Sequence, residues 1–185
     1  ELENRGLGVR RLLCRDPAEQ ELAWGLRRAG LSLLTSRAGA AKPWGFIEDV
    51  CVLPERLPEY VAGLSEIFEP LGLEASFYGH AASGELHVRP VLDLHTVEDI
   101  AKLRLVADQV SDLCRRFKGS LTAEHGVGLG RTEYVEAQIG PRLVEANQRI
   151  KDLFDPNGVM NPGKIIDEGR YRIDGDLRLG DGSVI

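Results

Sequence analysis

Long apolar runs are missing from this sequence. No stretch reaches the roughly 18 to 20 residues that a membrane-crossing helix needs, and the longest are interrupted by Gly, Arg or Glu. A basic excess is missing too: 23 Lys and Arg stand against 29 Asp and Glu, a net charge of −6, which argues against nucleic acid as a partner. Cysteine is scarce. Cys14, Cys51 and Cys114 are odd in number and widely spaced, so they suit neither a disulfide framework nor a thiolate zinc or iron–sulfur set. They read as small apolar residues in a reducing compartment. No secretory signal opens the chain, and it starts on Glu rather than Met; a fragment of a longer chain is expected. No internal repeat is visible.

What is present suffices for one compact domain, with or without a small helical appendage: 185 residues, 43% of them apolar. A short strand is expected over residues 8–14. Asp16-Pro17 then supplies a capping side chain and a proline at the first helical position, with Leu22, Ala23, Leu26 and Ala29 following at helical spacing. Residues 36–43 are a loop by composition and 46–53 a strand closed by Pro54. A helix over 57–68 carries Leu57, Val61, Leu64, Ile67 and Phe68. Strands over 73–78 and 85–91 are joined by the small-residue turn 81–84. The clearest helix, 96–117, aligns Val97, Ile100, Ala101, Val106, Val110, Leu113, Cys114 and Phe117 before Lys118-Gly119 ends it. A last short strand over 121–123, a helix over 141–154 and a polar linker over 167–185 complete the reading. This order predicts an α+β fold: an antiparallel sheet with helices packed on one face, ferredoxin-like in its elements, then a small helical subdomain. The expected division is an α+β domain over 1–123, truncated at its N-terminus, a helical unit over 124–166, and the tail.

Chemistry-bearing side chains concentrate in residues 79–90, 123–128 and 154–164. His80 and His87 would stand about 23 Å apart along one strand and about 10 Å apart along a helix. Only a reversal between them lets them share an ion, and 81–84 is built to reverse. Glu124, entering from the neighbouring Gly-rich loop, would complete a two-histidine, one-carboxylate set that leaves positions open, as catalytic metal sites do. Zinc is the default ion by ligand type, with manganese and iron(II) open. The competing reading has both histidines capping or filling a hairpin. Glu85, His87 and Arg89 share one face of a strand, an arrangement costly to bury without purpose, though it is also what a solvated face looks like. If that face lines a pocket, Arg89 offers a planar fork to a substrate carboxylate. His125, beside Glu124, is the natural general base, because imidazole ordinarily titrates near working pH. His95 reads as a surface residue.

These three stretches resemble, in matching order, the C-terminal domain of FAD-linked oxidases, the group that includes D-lactate dehydrogenase, the FAD subunits of glycolate oxidase and D-2-hydroxyglutarate dehydrogenase. The phrase Gly-His-Ala-x-x-Gly-x-Leu-His-Val-Arg-Pro from residue 79 onward is most similar to that of large bacterial fusions of this flavoprotein with an iron–sulfur oxidoreductase module. The likeness runs from about residue 8 to 166. It implies His80, His87 and Glu124 as metal ligands, and His125 as the base that removes the hydroxyl proton of a 2-hydroxyacid while hydride passes to flavin N5. It also implies that Arg27, in Trp24-x-x-Arg27, contacts the substrate carboxylate, and that Asn161 and Lys164 close on FAD. The FAD-binding domain would precede this segment and an iron–sulfur cluster would belong to a module after it. The chain alone is therefore expected to fold but neither hold FAD tightly nor turn over. Its expected location is the cytoplasm, or the inner-membrane periphery through the electron acceptor. Two departures leave the hydroxyacid open: Ala82-Ser83-Gly84-Glu85 stands where simpler members carry Gly-Asp-Gly-Asn, and Arg89 replaces a substrate-contacting Asn. Glu85 could crowd or join the metal. A non-catalytic metal-binding or interaction module of the same fold is the main alternative. A ferredoxin-like regulatory domain binding a small ligand is a third reading, which leaves Glu124-His125 beside Gly126 and Gly128 unexplained.

Overall fold

Asp16 and Pro17 start the first helix, as their chemistry predicts. In the computed structural model, which describes residues 5–6 and 12–178, α1 runs over Pro17–Thr35, and the Asp16 carboxylate accepts from the backbone N–H groups of Ala18 and Glu19 at 2.9 and 3.0 Å. The helix lies in a compact unit of its own, Glu1–Ala38. Its apolar row is exposed, with Leu22, Trp24 and Leu26 all open to solvent. The strand expected over 8–14 falls mostly outside the described residues, and 12–14 carry no regular structure.

The second unit, Gly39–Ile185, is built around one strand. β4 (Glu85–Leu92) pairs antiparallel with β3 (Ala75–His80) along most of its length, with β2 (Val50–Cys51) at its start and with β1 (Lys42–Pro43) at its end. Alternation along β4 sends Leu86, Val88 and Leu92 into the core. There they meet Tyr60, Leu64 and Phe68 of α2 (Leu57–Phe68) and Leu103, Val106, Val110, Leu113 and Cys114 of α3 (Val97–Arg116). The α3 ends are well specified: Thr96 Oγ1 accepts from the Asp99 N–H at 3.2 Å, and Arg115 and Arg116 lie in the last turn, where the helix dipole favours cations. Two further helices, α4 (Val135–Ile139) and α5 (Pro141–Phe154), follow the Gly-rich loop. The architecture is α+β with a small antiparallel sheet, as the element order predicts.

Several local expectations are revised. The strand over 46–53 shrinks to β2 because Asp49 adopts a left-handed backbone, φ 77°, which no extended strand accommodates. Residues 121–123 form no strand; their neighbour Ser120 makes one isolated bridge with Cys51. The last two residues of the expected 36–43 loop form β1. His95 is half-buried, its Nδ1 at 2.6 Å from Asp93 Oδ1. The polar tail is not all linker. Ile173 is a core residue, the Ile173 N–H donates to Glu133, and Arg104 ties Glu133 to Asp174; residues 179–185 lie outside the described residues.

Gly84 closes the β3–β4 turn with φ 77°, and a Cβ there would fall 1.8 Å from the Val52 carbonyl oxygen. Gly84→Ala therefore meets both the left-handed penalty of about 1–2 kcal/mol and a backbone overlap. Its urea midpoint should fall clearly below wild type.

Candidate metal centre

The hairpin delivers two imidazoles to one place. In the β3–β4 register His80 faces Glu85, Tyr78 faces His87 and Ser76 faces Arg89, so these side chains share the sheet face turned away from the helices. The reversal is a single 3-10 turn, Ala81–Ser83, capped by Gly84. The His80 and His87 rings end 5.5 Å apart, edge to face. A Cβ on Gly79 would stand 2.2 Å from the Glu85 carbonyl oxygen, so only glycine lets the two strands close at this point.

The carboxylate and third imidazole arrive on residues 122–125, and Asp49 holds that segment. The Asp49 side chain is fully buried. It accepts from Thr122 Oγ1 at 3.0 Å and from the N–H groups of Ala123, Glu124 and His125 at 3.0, 2.9 and 3.1 Å. Burial raises its pKa, but these hydrogen bonds outweigh it and hold the carboxyl below the ordinary range. Arg131 adds a second tie, donating to the carbonyl oxygens of Gly126 at 2.8 Å and Glu48 at 2.6 Å. The loop thus reaches the hairpin with its main chain fixed and the Glu124 and His125 side chains projecting.

Glu124 Oε1 is the meeting point. It lies 3.4 Å from His80 Nε2, 3.6 Å from His87 Nε2 and 3.6 Å from His125 Nε2. The His125 ring stacks on His87 with centroids 5.0 Å apart and planes 2° from parallel. His87 is buried, whereas the His80 and Glu124 side chains are each about half exposed, so the cluster has a closed floor and an open side. Desolvation first, and then the neighbouring His125, lower the His87 pKa. That favours the neutral imidazole, which is the form that binds a metal. Ligand atoms of His80, Glu85, His87 and Glu124 all lie within 4.8 Å of one another, as do those of Glu48, His87 and His125. Imidazole and carboxylate donors in this number fit a divalent ion with open positions. The buried, unpartnered Glu85 Oε1 is a polar atom that such an ion would satisfy.

Arg89 lies on the expected face but has internal partners: its guanidinium pairs with Glu48, and Nε donates to Tyr78 Oη at 2.9 Å. Asn161 and Lys164 bond to each other, Lys164 Nζ to Asn161 Oδ1 at 3.1 Å. Among the described residues, no hydrogen bond or ion pair ties either of them to the histidine cluster. Arg27 is exposed on α1, in the other unit. Asp155, in the third motif, has a structural role: buried, it accepts from the Val159 and Met160 N–H groups at 2.9 and 2.8 Å and pairs with Lys151. Glu48, Asp49 and Arg131 escape a sequence reading. Their one signal is the acidic pair Glu48-Asp49 interrupting an otherwise apolar strand pattern.

Residues 1–165 match the model of the family described as FAD linked oxidases, C-terminal domain. Among individual proteins, the chain is 39% identical over 153 residues to D-2-hydroxyglutarate dehydrogenase of Haemophilus influenzae, covering 83% of this chain and 15% of that protein. It is 38% identical over 153 residues to the Escherichia coli K12 protein of the same name, with the same coverage of both chains. It is 27% identical over 146 residues to glycolate oxidase subunit GlcD of Bacillus subtilis, covering 79% of this chain and 31% of that one. The chain thus spans only about a sixth of the length of the first two relatives. None of its described helices is long and apolar enough to cross a membrane.

Proposed function

Because the chain belongs to the family of FAD linked oxidases, C-terminal domain, we propose that it is the substrate- and metal-binding part of a flavin-dependent dehydrogenase. The reaction is oxidation of a D-2-hydroxyacid, of the lactate, glycolate or 2-hydroxyglutarate type, to the 2-oxoacid. The observation that carries this reading is the convergence of three histidines on one carboxylate oxygen, at 3.4 to 3.6 Å, at the open side of a rigid hairpin.

In this reading His80, His87 and Glu124 hold a divalent ion: zinc by ligand type, manganese or iron(II) as alternatives. When bound, the ion supplies a Lewis acid for the substrate's hydroxyl and carboxylate oxygens, and FAD supplies the hydride acceptor. The chain's residues do the rest. His125, with Nε2 beside Glu124, takes the hydroxyl proton as general base. Arg89 and Arg27 meet the substrate carboxylate. Arg89 has five N–H donors, so it can keep Glu48 and Tyr78 and still present a donor. Asn161 and Lys164 lie against the flavin. The FAD-binding domain, and an iron–sulfur module that passes electrons onward, belong to other parts of the polypeptide. The isolated chain is then inactive and flavin-free, and the whole works in the cytoplasm or at the inner-membrane periphery.

A second reading, a metal-binding or interaction module without redox chemistry, draws on the engagement of Arg89 by Glu48. Anaerobic mixing of the complete flavin-loaded polypeptide with D-lactate, glycolate and D-2-hydroxyglutarate separates the two. At least one should bleach the flavin, with the response lost on chelation and restored by zinc or manganese. Unbleached flavin with all three would favour the second reading.

A further inference from the structure

We propose that Glu85 is a fourth protein ligand to the ion held by His80, His87 and Glu124, making the site two histidines and two carboxylates, with substrate oxygen taken up by expansion of the coordination sphere beyond four. This rests on the metal-site reading above and adds a ligand to it.

The same hairpin that presents the imidazoles presents this carboxylate. Glu85 is the register partner of His80 and sits two residues before His87 on the same face. Its Oε1 lies 3.6 Å from His87 Nε2, alongside the 3.4 Å and 3.6 Å separations of Glu124 Oε1 from the two imidazoles. Around a tetrahedral ion with bonds of about 2.0–2.2 Å, neighbouring donor atoms stand about 3.3–3.6 Å apart. Three observed separations have that size and the other donor pairs lie within 4.8 Å, so a contraction of the cluster would bring all four groups onto one centre.

The environment of Glu85 lacks what a buried carboxylate needs. The residue is 6% exposed, and Oε1 has no hydrogen-bond partner. The cations on this face are committed: Arg89 to Glu48 and Tyr78, and Arg131 to Gly126, Glu48 and Asp49. Facing Glu85 are His80 and Glu124, both on the cluster itself. A carboxylate walled in opposite another carboxylate is costly unless a proton or a cation lies between them. A divalent ion turns both into attractive partners, and two carboxylates with two neutral imidazoles balance its charge inside the protein. Such an ion is retained without substrate.

The test is calorimetric titration of the chain with zinc chloride alone, in wild type, Glu85→Gln and the pair His80→Ala/His87→Ala, together with urea unfolding of each in chelator. Wild type should bind one zinc, and the double histidine variant none. Glu85→Gln should bind more weakly by more than roughly 100-fold, beyond the loss typical of an outer-shell partner, while unfolding in chelator no more easily than wild type. Zinc binding by Glu85→Gln as tight as wild type, or weaker by less than that, overturns the fourth ligand and leaves the three-ligand site standing. Weaker binding accompanied by easier unfolding in chelator also overturns it, by giving Glu85 a folding role. A wild type that binds no zinc removes the metal site itself. If Glu85→Gln does not fold, Glu85→Asp, which withdraws the oxygen by one methylene, is judged by the same two limits.

Discussion

In the complete flavin-loaded polypeptide, His125→Ala should lower turnover roughly 100- to 10,000-fold, the contribution typical of a positioned general base. The protein should remain folded, because Asp49 holds residue 125 chiefly through its backbone N–H, at 3.1 Å, with the ring Nδ1 farther off at 4.0 Å. Zinc affinity should change little, since the proposed ligands His80, His87 and Glu124 keep their positions. The imidazole has two neighbours that suit a base: Glu124 Oε1 at 3.6 Å from Nε2 and Glu48 Oε1 at 3.6 Å from Nδ1. A carboxylate on the far nitrogen can fix the ring's orientation and steady the charge it gains on taking a proton. A split of lost turnover with retained flavin and metal is the signature to look for. Turnover at the wild-type rate would take His125 out of the chemistry.

The second large effect belongs to a residue without substrate contact. Asp49→Ala strips the acceptor from three backbone N–H groups and the Thr122 hydroxyl, and leaves the largely buried Arg131 without its 3.8 Å counter-charge. Breaking a buried charged network of this kind costs about 3–5 kcal/mol. That corresponds to roughly 2 M in urea midpoint at a slope of about 2 kcal/mol per M. Asn keeps one acceptor oxygen and tolerates the left-handed backbone at 49, so Asp49→Asn should fall between Asp49→Ala and wild type. The acid side has a definite sign. The folded Asp49 carboxyl sits below its unfolded value of about 3.9, so its stabilisation is whole above that pH and is lost as pH falls through the folded value. Asp49→Asn should therefore show a flatter loss of stability on acidification. An Asp49→Ala protein that melts with wild type at every pH would contradict the role given to this side chain.

The parts of the site that the sequence discloses are those governed by local rules. A small-residue turn between two strand patterns can only bring His80 and His87 together, and the structure has that hairpin in register. The helices α1, α2 and α3 follow apolar rows of the right period, and α2 and α5 begin and end where the sequence places them. Non-local features do not show in this way. Asp49 works through residues more than 70 positions away, and its positive φ cuts short a strand that alternation alone would extend. Two-residue strands such as β1 have no period to read. Arg89 was legible as a cation on the right face, but its pairing with Glu48 depends on a segment 41 residues earlier. The tail reads as linker because, among its described residues, one apolar side chain, Ile173, reaches the core, with Arg104 gathering Glu133 and Asp174 beneath.

Whether the hairpin and the 122–125 loop make one metal site can be read from a crystal structure of the chain grown with zinc. An anomalous peak should stand at about 2.0–2.2 Å from His80 Nε2, His87 Nε2 and a Glu124 oxygen. No peak at that cluster, with His80 and Glu124 turned apart toward solvent, would contradict the shared site.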